Sequence, residues 1–326
     1  MSLPVSKTAL DRLGGRLIAG DQVMEADRVA LAHVVGAYQQ ALDEAKARLV
    51  ELGYPATTRV KTTGTLIEKL RREARMRLSQ VQDLAGARIV VRDRRAQDEA
   101  QHMIREDCEA AGRPCKVSDR RDRPSHGYRA VHIIMQWDQI PVEVQIRTEL
   151  QDTWAQMMER VADQWGRGIR YGEDPDSLNE SAEALGLVET RRETVALLTS
   201  LGDSIAQAEV MRAQAEDAAA SLNKFGEAVE KLGQSRGGDL RITRDVIPSA
   251  SLDVTIEGLG RLSPEALAIM DGGRDMTVAK FVKTLHQVHE MTQRKNDDRR
   301  KALRHLEERI QAQLQRIADM ADRMVI

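Results

Sequence analysis

Residues 140–148 read Ile-Pro-Val-Glu-Val-Gln-Ile-Arg-Thr, a stretch that alternates apolar and polar with a period of two. Val142, Val144 and Ile146 share one face of the strand this implies, and Glu143, Gln145 and Arg147 share the other. Upstream, residues 128–137 (YRAVHIIMQW) carry a second strand signal, and only Asp138 and Gln139 separate the two runs. A two-residue turn joins such strands in an antiparallel hairpin. Pairing Trp137 with Ile140 then places Met135 opposite Val142, Ile133 opposite Val144 and Val131 opposite Ile146, a continuous apolar face. The same register gathers Tyr128, His132, Glu143, Gln145 and Arg147 on the other face. That face is either solvated or the floor of a site. Its mixture of carboxylate, imidazole, phenol and guanidinium favours the site.

Working outward, the 326-residue chain has 49 Lys and Arg against 51 Asp and Glu, a net charge of −2. This balance gives no global case for a nucleic-acid or membrane-surface protein. The composition, 31% charged and 3% aromatic, suits a helix-rich protein with long charged faces. No apolar run approaches the roughly 20 residues that span a bilayer. Cys108 and Cys115 are too few for a disulfide framework and lack metal-site company. With no apolar segment of signal-peptide type at the start, a cytoplasmic location is expected.

Helical spacing predicts a helix over 22–52, ending at Gly53, and another over 63–80. Periodicity then switches: a strand at 87–92, a helix at 96–111, a loop at 112–127, the hairpin, and a helix from Thr148 to Gly166. Residues 178–232 read as a helical hairpin broken near Gly202 or Leu222, and 234–260 as a linker with one short strand pair. The tail, 277–326, reads as one long helix. Its Leu303, Leu306, Ile310, Leu314, Ile317, Met320 and Met324 form a coiled-coil-like seam. The chain thus divides into a region 1–175, with its motifs over 59–166, and a helical C-terminal region 176–326.

Positive charge is segregated despite the near-neutral total. One cluster runs from Arg59 and Lys61 through Lys69 to Arg77, and the other lies in the loop from Arg113 to Arg129. Cations beside isolated carboxylates are what a polyphosphate and its metal ion need. For Arg71, Arg72, Arg75 and Arg77 the expectation is a solvated helix face.

Four segments, in order, resemble the synthetase domain of the RelA/SpoT homologues, the alarmone synthetases. They are Arg59-x-Lys61-x-x-x-Thr65-x-x-x-Lys69, Asp83-Leu84-Ala85-Gly86-Ala87-Arg88-Ile89-Val90, Gly127-Tyr128-Arg129-Ala130-Val131-His132 and Glu143-Val144-Gln145-Ile146-Arg147-Thr148. The resemblance implies an α+β fold, a mixed five-stranded sheet flanked by helices, with the helical region appended. It implies transfer of pyrophosphate from ATP to the 3′-hydroxyl of GDP or GTP, with AMP released and Mg²⁺ as cofactor. Arg59 and Arg88 correspond to the arginines that sandwich adenine, and Lys61, Thr65 and Lys69 to ATP-phosphate contacts. Asp83 and Glu143 correspond to the catalytic and magnesium-holding carboxylates, and Tyr128 to the aromatic under the acceptor base. His132, Gln145, Arg147 and Arg123 are assigned to the acceptor side.

The chain departs from the family where Pro-Lys-x-Asn usually precedes Gly-Tyr, since Arg123-Pro124-Ser125-His126 stands there, and Thr65 replaces the usual serine. Trp154-Ala155 through Tyr171-Gly172 also look like the toxic small alarmone synthetases, some of which pyrophosphorylate the tRNA 3′ end. That acceptor, and a catalytically dead interaction module, are the alternative readings. No His-Asp dipeptide of the family's hydrolase domain and no Gly-x-x-x-x-Gly-Lys loop occurs. Self-association or self-regulation through the C-terminal helices is expected.

Overall fold

The hairpin forms in the register that alternation predicts. β4 (Val131–Trp137) and β5 (Ile140–Thr148) pair antiparallel, with Trp137 opposite Ile140, Ile133 opposite Val144 and His132 opposite Gln145. Asp138 and Gln139 both take positive φ, 47° and 75°, as a type I′ turn requires of its two central residues. The structure, a computed structural model, describes residues 3–19, 23–73, 75–176, 187–234, 242–246, 252–256, 260–261 and 278–323.

Around the hairpin stands a five-stranded mixed sheet in the order β1-β2-β5-β4-β3. β1 (Thr57–Val60) pairs antiparallel with β2 (Ala85–Val91), and β2 runs parallel to β5. β3 (Cys115–Asp119) completes the other edge. Residues 112–127 therefore hold a strand where the composition predicts only loop. Val117 and Cys115 pack on the core while Lys116 between them is exposed, a period of two too short to stand out. Conversely, Tyr128–Ala130 lie outside β4, because Ser125 and Tyr128 close a turn through reciprocal backbone bonds.

One face of the sheet is the core. Val131, Ile133, Met135, Val142, Val144 and Ile146 are all buried there. They meet Val34, Tyr38, Leu42, Ala45 and Leu49 of α2 (Glu25–Glu51), and Ala100, Ile104 and Cys108 of α4 (Arg94–Ala110). α1 (Lys7–Ile18) adds Leu10, Leu13 and Leu17. The helical spacing over 63–80 yields only α3 (Thr63–Arg72); the backbone leaves the helix at Glu73, and a 3₁₀ turn follows at Leu78–Gln80. Tertiary contacts outweigh local propensity here: Leu78 packs against α1 at Gly14, and the Ser79 N–H donates to Asp11. α5 (Glu149–Trp165) starts directly from β5, with Thr148 and Gln151 forming a reciprocal capping box.

Two compact units emerge: Met1–Gln207 with Ile310–Ile326, and Ala208–Arg309. α6 runs unbroken from Leu187 to Gln234, through both Gly202 and Leu222 where a break is expected from sequence. An interior glycine costs a helix only about 1 kcal/mol relative to alanine, and at Gly202 close packing against the Gly127 backbone makes it the fitting residue. Residues 178–186 of that expected hairpin lie outside the described residues. In the second unit, β6 (Ile242–Val246) and β7 (Leu252–Ile256) form the expected strand pair, extended by β8 (Gly260–Arg261). α7 (Val278–Arg323) is the long helix of the tail. Arg212 pairs with Glu307, and Phe225 stacks on His289 at 6.0 Å between centroids. The near-constant sum of paired numbers means that α6 and α7 run antiparallel in this unit. Along the seam Leu303, Ile310, Leu314 and Ile317 are buried; Met324 lies outside the described residues. Among the described residues no helix is long and apolar enough to cross a membrane.

Candidate active site

Sheet register assembles the site before any loop contributes. On the face opposite the core, Arg59 of β1 lies opposite Gly86 of β2, and Gly86 opposite Glu143 of β5. The adjacent row reads Thr57, Arg88, Gln145 and His132 across four strands. Gly86 has no side chain, so the sheet is open between Arg59 and Glu143. α3, begun by the Thr62 cap that accepts from the Thr65 N–H, carries Thr65 and Lys69 along one rim.

These residues line one cavity of about 730 Å³. Of the twelve residues singled out from sequence, Arg59, Lys61, Thr65, Lys69, Asp83, Arg88, Tyr128, His132, Glu143, Gln145 and Arg147 line it, whereas Arg123 is exposed and does not. Nine Lys and Arg face six Asp and Glu in the lining, an excess of three positive charges in a chain whose net charge is −2. A cleft with such a surplus concentrates anions.

The polar face of the hairpin is not wet. Glu143, His132 and Arg147 are 9%, 5% and 3% exposed. Buried polar groups must be paired, and here they close a ring. Arg147 donates to Gln145 Oε1 at 2.9 Å, and Gln145 Nε2 donates to Glu143 Oε2 at 3.1 Å. His132 Nδ1 donates to Glu143 Oε1 at 2.8 Å, leaving Nε2 against the Tyr128 hydroxyl at 2.9 Å. Arg147 reaches the same hydroxyl at 3.4 Å. The Tyr128 ring stands edge-on to His132, with the Arg147 guanidinium 5.3 Å from its centre.

Burial alone would raise the Glu143 carboxyl, but the His132 hydrogen bond and charge, the Gln145 amide and the Lys69 ammonium together bring it down to about 2. Burial pushes the Tyr128 phenol up, partly opposed by Arg147. Glu143 therefore stays ionised and Tyr128 stays neutral at physiological pH. Across the cavity, the Asp83 carboxylate lies between Lys69 (2.9 Å) and Lys61 (3.3 Å).

Asp152, which sequence reasoning missed, anchors the arrangement. From the first turn of α5 its Oδ1 accepts from both Arg88 and Arg147 at 3.1 Å, and its Oδ2 from Gln156 at 2.6 Å. One buried carboxylate thus fixes a guanidinium on each half of the site. Its sequence signal was slight: an acid in a helix first turn is ordinary. Arg72 is exposed, as expected of the basic run, yet its guanidinium lies 4.3 Å over the Tyr171 ring and it lines the cavity. Trp154, Arg120, Arg167 and Arg170 also line the cavity and carried no periodic signal.

Comparison with known proteins places the matched region on these elements. Residues 58–165 match the family model described as "Region found in RelA / SpoT proteins". "Uncharacterized protein Mb1401" of Mycobacterium bovis and "Uncharacterized protein Rv1366" of Mycobacterium tuberculosis are each 43% identical over 131 residues, 37% of this chain and 44% of the relative. The chain thus spans less than half the length of these curated relatives. Among solved structures, small alarmone synthetase 2 of Bacillus subtilis is 17% identical over 53% of this chain and 92% of its own, with a TM-score of 0.39. Small alarmone synthetase 1 of the same organism, bound to its product pppGpp, is 19% identical over 52% and 89%, with a TM-score of 0.37. The matched residues 58–165 carry the five strands and the helices α3 to α5 that build the cavity, and over this stretch the chain is similar to the region found in RelA/SpoT proteins.

Proposed function

We propose that the cavity transfers pyrophosphate from ATP to the 3′-hydroxyl of GDP or GTP and releases AMP. The observation that carries this reading is the cavity itself. Eleven side chains that the family resemblance assigns to donor, acceptor and metal converge on one space with surplus positive charge.

Arg59 stands exposed at the β1 edge while Asp152 holds Arg88, so two guanidiniums flank the donor end and suit a stacked purine. Lys61, Lys69 and the Thr65 hydroxyl supply cationic and polar contacts for phosphates. Tyr128, its hydroxyl held by His132, offers a ring to the acceptor base. The residues fit a Mg²⁺ ion. Asp83 and Glu143 are oxygen donors lining one cavity, and the Lys69 ammonium, 2.9 Å from Asp83 and lowering Glu143 by its charge, supports the reading that positive charge is favoured at this end. Bound there, Mg²⁺ would neutralise the charge of the transferring phosphates. The acceptor oxygen forms its bond to the β-phosphorus as the bond from that phosphorus to the α-phosphate oxygen breaks; AMP leaves with that oxygen, and the hydroxyl proton is released to solvent. Glu143 accepts the hydrogen bond of the attacking hydroxyl and orients it. A carboxyl near 2 is a weak proton acceptor at neutral pH, so positioning and charge are its main contribution.

The 112–127 loop favours a nucleotide over tRNA as acceptor. Arg121 is bound by Asp119 and Asp98, and Arg113 lies over Trp137 at 3.7 Å, so these cations serve the fold rather than a broad phosphate surface. Incubating the protein with γ-labelled ATP and either GDP, GTP or uncharged tRNA decides the acceptor. Label in a guanosine product with stoichiometric AMP is expected, and label only in tRNA would overturn the choice. No AMP above background with any acceptor would leave the interaction-module reading.

A further inference from the structure

The turn that presents Tyr128 is held from outside the family-matched region. Gly127, immediately before Tyr128, has φ +86° and packs against both Trp154 and α6. A Cβ on Gly127 would fall 2.7 Å from Trp154 Cζ2 and 2.9 Å from the Thr199 carbonyl oxygen. A Cβ on Gly202, one turn along α6, would fall 2.5 Å from the Gly127 carbonyl oxygen and 2.9 Å from its Cα. The two glycines therefore meet backbone to backbone, with no room for a methyl group.

Polar contacts lock the same junction. The Trp154 indole N–H donates to the Leu198 carbonyl oxygen at 2.6 Å. Arg129, two residues after Gly127, donates to the Gly127 carbonyl oxygen at 3.3 Å and to Asp203 at 2.7 Å. Its side chain is 10% exposed, whereas that of Asp203 is 70% exposed, so the ion pair caps the junction at the surface. All these residues belong to one compact unit. α6 begins at Leu187, beyond the family-matched residues 58–165.

We propose that residues 198–203 of α6 are a buttress that sets the position of the Tyr128 turn, with Gly202 and Asp203 as positioning residues for the acceptor. Assigning the acceptor to this turn rests on the function proposed above; the mechanical coupling does not. α6 presents a rigid rod at this point, and the turn is held by close backbone packing on α6 and by the Trp154 and Arg129 contacts. The helical region is then part of the acceptor site.

The test uses the full chain with Gly202→Ala, Asp203→Asn and the conservative Asp203→Glu. Two readouts are taken: amide hydrogen exchange across residues 121–130 without substrate, and AMP release as a function of acceptor and of ATP concentration. Alanine improves the intrinsic helix propensity at 202, so faster exchange in Gly202→Ala reports the displaced turn and not a weakened α6. The expected result is faster exchange at 127–129 in Gly202→Ala, with KM for the acceptor raised about 10-fold or more and KM for ATP within about 2-fold, since a misplacement of 1 Å can cost on the order of 100-fold. Asp203→Asn shifts both readouts the same way by less, and Asp203→Glu restores them. Unchanged exchange in both Gly202→Ala and Asp203→Asn, or equal increases in both KM values, would overturn the buttress. If the wild type releases no AMP, the exchange measurement alone decides the buttress, and it is the pyrophosphate-transfer reading that falls.

Discussion

Replacing Glu143 by glutamine isolates the charge at the centre of the hydrogen-bonded ring. The side chain keeps its shape, but the acceptor for His132 Nδ1 loses its negative charge. The folded state holds this carboxyl at about 2 against an ordinary 4.5, a depression whose sign follows from its partners outweighing its burial. Because the folded value lies below the unfolded one, the stabilisation is complete above about pH 4.5 and is lost as pH falls towards 2. By linkage the depression amounts to about 3 kcal/mol at pH 7, falling to about 2 kcal/mol at pH 3.5. Glu143→Gln is therefore expected to lower the unfolding free energy by about 3 kcal/mol at pH 7 and by about 1 kcal/mol less at pH 3.5. Denaturant unfolding followed by far-ultraviolet circular dichroism at both pH values measures the difference. A destabilisation below about 1 kcal/mol at pH 7, or one independent of pH, would refute the assignment of Glu143 as the ionised anchor of the ring.

Three further outcomes follow from the site. Tyr128→Ala removes the stacking face and is expected to raise KM for the acceptor by about 5- to 150-fold, the range of about 1–3 kcal/mol per stacked base; titrating acceptor at saturating ATP measures it, and an unchanged value would remove Tyr128 from the acceptor side. Asp152→Asn frees the guanidiniums of Arg88 and Arg147 together, so KM is expected to rise for both substrates, whereas a rise for one alone would show that the shared anchor does not couple them. Chelating divalent cations with EDTA is expected to abolish AMP release and Mg²⁺ to restore it; full activity in the chelator would contradict the role given to Asp83 and Glu143.

Much of the hairpin was legible because β-structure writes its register in a period of two. Once Trp137 is set opposite Ile140, the placement of His132 beside Gln145 follows without further information. The exposure of that face was not legible. Alternation says which residues share a side, and only the cover supplied by α3, α5 and the Tyr128 turn makes that side interior. Asp152 escaped for a related reason: its role depends on two arginines 64 and 5 residues away, a coincidence of folding with no local pattern. Helix ends were misread where tertiary contact overrides propensity. Leu78 is captured by α1, which stops α3 early, while Gly202 is required at a close approach and so does not break α6.

The reaction proposed for this cavity is transfer of pyrophosphate between two nucleotides. It is tested most directly by ATP labelled at the γ-phosphate and supplied with GDP or GTP, the products being separated by charge and AMP counted in parallel. One labelled guanosine product carrying two added phosphates is expected, with one AMP for each, and both signals are expected to be lost in Glu143→Gln. Labelled free phosphate or pyrophosphate without a guanosine product, or a signal that survives Glu143→Gln, would contradict it.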